Sequence, residues 1–159
     1  MNELKTLDEL KSIRKRLKDE GKKVVFTNGC FDLIHAGHID YLSKAKQLAD
    51  VLIVGLNSDE SVTSIKGNRR PILKEAERAF IISNLKPVDY VILFDEDTPQ
   101  KLIEELLPDV LVKGADWSVE NIVGADVVIK NGGEVKSIEF INNQSTSKII
   151  DLIVERFKD

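Results

Sequence analysis

Cysteine occurs once in this chain, as Cys30, so no internal disulfide can staple the fold and a reducing compartment suits it. Long apolar runs are missing too. Nothing approaches the roughly 20 consecutive apolar residues that span a bilayer, and the start of the chain, Met1 to Lys5, lacks the apolar core of a signal peptide. A cytoplasmic location without a membrane partner is expected. Net positive charge is absent: the formal balance is -4, which argues against a generic nucleic-acid surface and for work on small molecules. Repeats, low-complexity stretches and linkers are absent as well. The 159 residues therefore read as one domain, of a size that buries about 70% of the surface its unfolded chain exposes. Histidine is scarce, with two residues in all, and both lie in one stretch at His35 and His38.

What is present is an alternation of two periodicities. Residues 1–21 read as an amphipathic N-terminal helix: Thr6 and Glu9 have capping-box spacing, Leu7, Leu10, Ile13 and Leu17 share a face, and Gly21 is a stop. The basic residues Lys11, Arg14, Lys15, Arg16 and Lys18 read as its solvated face. Residues 22–159 then alternate strand and helix. Apolar runs at Val24 to Phe26, Val51 to Leu56, Val88 to Phe94, Val110 to Val112 and Val135 to Ile141 predict five strands. Helices are expected from about Gly37 to Ala49 and Lys74 to Leu85. Another is expected after a Thr98 cap and Pro99, with Leu102, Ile103, Leu106 and Leu107 facing inward; the last two run over Ala125 to Lys130 and Ser145 to Phe157. Continuous rather than alternating apolar strands are covered on both faces. The expected fold is α/β: a doubly wound, Rossmann-like sheet of five parallel strands with an N-terminal helix, its ligand crevice at the carboxyl ends of the strands.

Four clusters fall at those strand exits. The first is the stretch Thr27 to His38, a strand-to-helix crossover of the kind that cradles phosphates, because the free N–H groups and dipole of a starting helix attract anions. His35 and His38, at i and i+3, can aim at one point, and Gly37 keeps the wall low so that a phosphate reaches the amides. Zinc is the weaker reading, since two such ligands need a third and the only cysteine lies upstream in the same loop. The second cluster, Lys66 to Ile72, is a basic, glycine-containing loop suited to a triphosphate or a departing pyrophosphate. The third, Ser145, Thr146, Ser147 and Lys148, opens the last helix as an anion seat or an ordinary cap. The fourth, Lys113 to Trp117, offers a carboxylate, Asp116, and the only tryptophan to a base or sugar.

These residues together resemble the cytidylyltransferase-like nucleotidyltransferases with their His-x-Gly-His signature. The resemblance rests on Gly29, Cys30, Phe31 and Asp32, followed by His35, Ala36, Gly37 and His38. It continues through Lys66 and Gly67, Arg70 to Ile72, Glu77 and Arg78, and Ser145 to Ser147. It runs from about Lys22 to Ile153. Pro108 to Gly114 and Gly124 to Asp126 make the chain most similar to the branch that adenylylates D-glycero-β-D-manno-heptose 1-phosphate to give ADP-heptose.

The resemblance implies direct displacement at the α-phosphorus of ATP by a phosphate oxygen of a sugar 1-phosphate, with Mg2+ accompanying ATP and no covalent enzyme intermediate. It implies catalytic roles for His35, His38 and Lys66. Nucleotide and phosphate binding would fall to Asn28, Gly29, Cys30, Phe31, Gly37, Arg70, Lys113, Gly114, Asp116, Ser145, Thr146 and Ser147, and acceptor binding to Asp32 and Trp117. No resident metal site is implied. A cytidylyltransferase acting on glycerol 3-phosphate and a non-catalytic ATP-binding module are the alternatives. Relatives of this kind are often homodimers, and a separately encoded sugar kinase would supply the acceptor. Two departures stand out. Phe140 to Gln144 lacks the arginine some relatives carry there, leaving Lys66, Arg69 or Arg70 to supply that charge, and Trp117 stands where the heptose branch commonly has tyrosine.

Overall fold

In the computed structural model, which describes residues 3–114, 118–141 and 145–158, the chain alternates as its periodicities require. The first elements are β1 (Glu3–Leu4), α1 (Leu7–Asp19), β2 (Val24–Gly29), α2 (Ala36–Lys46) and β3 (Val51–Asn57). They are followed by α3 (Asp59–Lys66), α4 (Glu75–Ser83), β4 (Tyr90–Phe94), α5 (Gln100–Leu106) and β5 (Val110–Gly114). A short 3-10 turn (Val119–Asn121), α6 (Ala125–Lys130), β6 (Glu134–Ile138) and α7 (Thr146–Arg156) complete the described elements. The strands lie in the order β1-β4-β3-β2-β5-β6, and every pair is parallel. The five expected strands are all there. The sheet gains a two-residue edge strand, β1, which pairs Glu3 with Tyr90 and Leu4 with Val91.

The central strands feed both faces of the sheet. On one side Val25, Leu52, Val54 and Leu56 pack against Tyr41, Leu42 and Ala45 of α2 and Ala79 and Ile82 of α4. On the other, Val24, Phe26, Ile53 and Leu111 meet Leu10 and Leu17 of α1, Ile103 and Leu106 of α5 and Val128 of α6. Fully burying one such side chain contributes about 1.5–3 kcal/mol, which is why these strands carry almost no polar residue between their ends. The α1 capping box forms as expected, with Thr6 and Glu9 bonded reciprocally.

Three local expectations need correction. Helix α3 falls in a stretch for which no element was expected, and Lys66, expected to open the basic loop, is its last residue. Helix α5 starts after Pro99, with no side-chain cap from Thr98, and Leu107 does not face inward: it ends the helix with a φ of 42° and is 38% exposed. Nor is Arg14 merely solvated. Its guanidinium donates to the carbonyls of Leu106 and Leu107 and pairs with Asp109 at 3.0 Å, joining α1 to the end of α5 and the entry of β5. Among the described residues no helix is long and apolar enough to cross a membrane.

Candidate functional site

The strand order turns back between β2 and β5. Their carboxyl ends diverge there and open a crevice, as at the switch point of any doubly wound sheet. Lys113 on β5 spans that point, its Nζ donating to the carbonyl and the side-chain oxygen of Asn28 on β2 at 3.0 and 3.1 Å. A cavity of about 460 Å³ occupies the crevice. Asn28, Gly29, Cys30, Phe31 and His38 line it from the first crossover, Lys66 and Arg70 from the basic segment, and Ser145, Thr146 and Ser147 from the start of α7. A smaller adjoining cavity of about 180 Å³ lies between Gly114, Tyr41 and Phe140, and shares Lys113 and His38 with the larger one.

The two histidines are stacked. Their ring centroids are 3.9 Å apart with an interplanar angle of 27°, and Phe31 tilts against His38 at 5.3 Å. His38 lines the cavity, whereas His35, at the capping position of α2, backs it. Burial, then the neighbouring His35, pushes the His38 imidazole down to about 4, and burial lowers His35. His38 is therefore neutral near pH 7. Each Nδ1 is buried without a hydrogen-bond partner among the described residues. Gly37 serves this stack: a Cβ there would lie 3.0 Å from Cε1 and Nδ1 of His35, so the glycine makes room for that ring.

Asp32, expected at the acceptor, belongs to the cavity lining, and its carboxylate is engaged within the protein. Its side chain is wholly buried. One carboxylate oxygen accepts from the Arg70 Nε at 2.6 Å, and the carboxylate also takes the backbone N–H groups of Ile72 and Leu73 at 2.9 Å. Burial alone would raise this carboxyl, but the Leu73 and Ile72 amides and the Arg70 guanidinium outweigh it and hold the group below its usual range. Asp32 thus fixes the basic segment against the first crossover and aims Arg70.

The other expected residues fall as follows. Lys66 is exposed at the end of α3 on the cavity rim. Ser145 caps α7 through the N–H of Lys148, and the Thr146 hydroxyl donates to the Leu33 carbonyl at 3.4 Å, seating the helix start beside the first crossover. Burial pushes the Cys30 thiol up, with nearby Lys66 the largest opposing influence. Asp116 and Trp117 lie outside the described residues, as do Asn142, Asn143 and Gln144. Sequence reasoning missed the cavity wall formed by Asp97 and Thr98 after β4 and by Ile122 and Val123 before α6. Only their position after strands would have pointed to them.

Residues 26–151 match the model of a family described as cytidylyltransferase-like. The bifunctional protein HldE of Citrifermentans bemidjiense is 53% identical over 156 residues, 98% of this chain and 32% of its own length. HldE of Geobacter metallireducens is 54% identical over 154 residues, 97% of this chain and 31% of that protein. The chain spans about a third of the length of these curated relatives. Among solved structures, the lipopolysaccharide core biosynthesis protein from Thermoplasma volcanium aligns with a TM-score of 0.60 at 33% identity, over 78% of this chain and 100% of that one. A pantoate-beta-alanine ligase from Francisella tularensis aligns at 0.61 with 16% identity, over 91% of this chain and 68% of that one, and shares the fold alone.

Proposed function

This chain belongs to the cytidylyltransferase-like family, and from that premise we propose that it is an adenylyltransferase joining AMP from ATP to a sugar 1-phosphate, D-glycero-β-D-manno-heptose 1-phosphate in the first place. The products are ADP-heptose, for lipopolysaccharide core or surface glycan synthesis, and pyrophosphate. The observation that carries the reading is the convergence of His38, Lys66, Arg70, Lys113 and the start of α7 on one crevice at the switch point. The similarity to HldE proteins and to a lipopolysaccharide core biosynthesis protein supports the choice of a heptose acceptor.

In this reaction a phosphate oxygen of the acceptor forms a bond to the α-phosphorus as the bond to the pyrophosphate oxygen breaks. Charge accumulates on the α-phosphoryl oxygens and the leaving pyrophosphate, so catalysis consists of positioning and donors. His38, neutral and lining the cavity, donates one ring N–H to the α-phosphoryl oxygens, with His35 stacked behind it. Lys66 and Arg70 meet the triphosphate, and the Ser145 to Ser147 segment meets the β- and γ-phosphates. Each well-aimed donor lowers such a barrier by about 3 kcal/mol, roughly a hundredfold in rate. Among the described residues no three His, Cys, Asp or Glu side chains are grouped to hold a metal. Magnesium in this reading enters on the phosphate oxygens of ATP and neutralises part of their charge.

Pyrophosphate release tests the proposal. ATP with the heptose 1-phosphate should release pyrophosphate, and ATP alone should not. Release from CTP with glycerol 3-phosphate, and none from ATP with any of a panel of sugar 1-phosphates, would make the protein a cytidylyltransferase. Saturable ATP binding without release from any pair would make it a nucleotide-binding module.

A further inference from the structure

Among the described residues Arg78 is the largest wholly buried side chain, and it lies outside the cavity lining. A buried guanidinium is costly unless its N–H groups are satisfied, and here the side-chain hydrogen bonds reach different segments around the site. Nε donates to the Leu73 carbonyl at 3.0 Å, just ahead of α4. One terminal nitrogen donates to the carbonyls of Cys30 and Asn57 at 2.7 Å each, at the ends of β2 and β3. The other pairs with Asp59 at 2.9 Å, in the first turn of α3. These segments lead to most of the polar groups on that side of the crevice: Cys30 begins the first crossover, α3 ends in Lys66, and Leu73 closes the loop that carries Arg70.

The bond to Cys30 has a specific consequence. In a planar trans peptide the C=O of one residue and the N–H of the next point in opposite directions. Arg78 draws the Cys30 oxygen into the protein, so the Phe31 N–H is turned away from Arg78, at a residue that lines the cavity. Phe31 itself sits in the left-handed region, with φ of 45°, a conformation that costs a non-glycine residue roughly 1–2 kcal/mol. Two anchors flank it: Arg78 on the carbonyl before it and, on the residue after it, the Asp32 carboxylate held by Arg70 and two amides.

We propose that Arg78 is a positioning residue of this site: through the Cys30 carbonyl it holds Phe31 in its left-handed conformation and presents the Phe31 N–H to a nucleotide phosphate. The role rests on the nucleotidyl-transfer reading for its effect on rate, but its effect on the amide can be read without turnover. In the Arg78→Lys variant one ammonium cannot reach all four acceptors. Turnover per folded molecule should fall about a hundredfold, the loss expected when reacting groups shift by an ångström, while the KM for ATP changes less than about threefold, as for a group that acts in the transition state. Leu17→Ala, a cavity in the core remote from the crevice, controls for lost stability: it should lower Tm and leave turnover per folded molecule unchanged.

Selective 15N-phenylalanine labelling reduces the amide spectrum to six signals. Saturating Mg-ATP should shift the Phe31 signal strongly in the unaltered protein and weakly in Arg78→Lys. An unshifted Phe31 signal in the unaltered protein overturns the proposal even if the lysine variant does not fold. Unchanged turnover per folded molecule in that variant overturns it too. A protein that releases no pyrophosphate with any acceptor yet shows the Arg78-dependent Phe31 shift would refute the reaction and support the positioning.

Discussion

His35 and His38 stack ring on ring at 3.9 Å, and only His38 lines the cavity. In the proposed reaction this geometry gives the two unequal roles, His38 as donor and His35 as the ring that holds its plane. Replacing His38 by alanine should lower kcat by about a hundredfold to a thousandfold, the range for loss of one donor aimed at developing charge, with a much smaller change in the KM for ATP. Replacing His35 should cost less, and the double variant should be close to His38→Ala alone, because the residues act as a unit. Steady-state kinetics on the three variants decides this. Additive losses would mean two independent donors.

The same stack makes stability depend on acid. Burial, then His35, lowers the His38 imidazole from its ordinary value near 6.5 to about 4. The unfolded chain therefore binds more protons than the folded one between those values, and stability falls as the pH drops from about 6.5 toward 4, by up to about 1.4 kcal/mol per unit. Chemical unfolding followed at half-unit steps should show this slope in the unaltered protein and a flatter one in His38→Gln. Equal slopes would assign the acid sensitivity to other groups.

Asp32 is predicted to matter for the loop before it matters for substrate. Its carboxylate holds Arg70 and the Ile72 and Leu73 amides, so Asp32→Ala leaves a part-buried guanidinium and two N–H groups unpaired. A loss of about 3 kcal/mol is expected, as for breaking a buried pair by removing one partner. Turnover should fall with it, because Arg70 loses its aim. Urea unfolding measures the first effect and pyrophosphate release the second; a variant as stable as the parent would show that solvent readily replaces these bonds.

Much of this arrangement was legible in the residues themselves. Continuous apolar runs such as Val51 to Leu56 announced buried parallel strands, and the stretch from Asn28 to His38 announced a site at a strand exit. Three features were hidden for identifiable reasons. Helix α3 carries a Ser58 cap and acidic Asp59 and Glu60 in its first turn, but it spans only eight residues and includes the β-branched Val62, Thr63 and Ile65, which weaken helical propensity. Strand β1 is two residues long, too short for any period to register, and its pairing with β4 is a tertiary event. Arg78 stands within the motif, but its burial was hidden, because only the fold brings the four acceptors of Leu73, Cys30, Asn57 and Asp59 around it.

Gly37 separates activity from stability. An alanine Cβ would sit 3.0 Å from the His35 ring, close enough that the ring must move by a few tenths of an ångström. The position lies in the first turn of α2, where alanine is favoured over glycine by up to about 1 kcal/mol. These effects offset each other in the folding free energy, but only the first touches the stack. Gly37→Ala should therefore leave Tm within about 3 °C while turnover falls about tenfold, a loss of about 1.4 kcal/mol in the barrier. Full turnover at unchanged Tm would mean that His38 does not need His35 in its place.

Leu107 tests the fold away from the site. It ends α5 with φ of 42° and ψ of 66°, a conformation that suits glycine, and its side chain is 38% exposed. Arg14 holds its carbonyl at 2.9 Å from α1, which keeps the residue in place despite the strain. Leu107→Gly removes that strain, and the half-exposed side chain forfeits only part of its burial. The wider freedom of glycine in the unfolded chain works against the gain. A net stabilisation of about 0.5 kcal/mol is expected, with the Arg14 bond retained because its acceptor is backbone. Leu107→Ala, which loses the side chain and keeps the strain, should be less stable than the parent. Chemical unfolding of the two variants side by side distinguishes relief of strain from loss of packing: if glycine is no better than alanine, the left-handed turn costs this protein nothing.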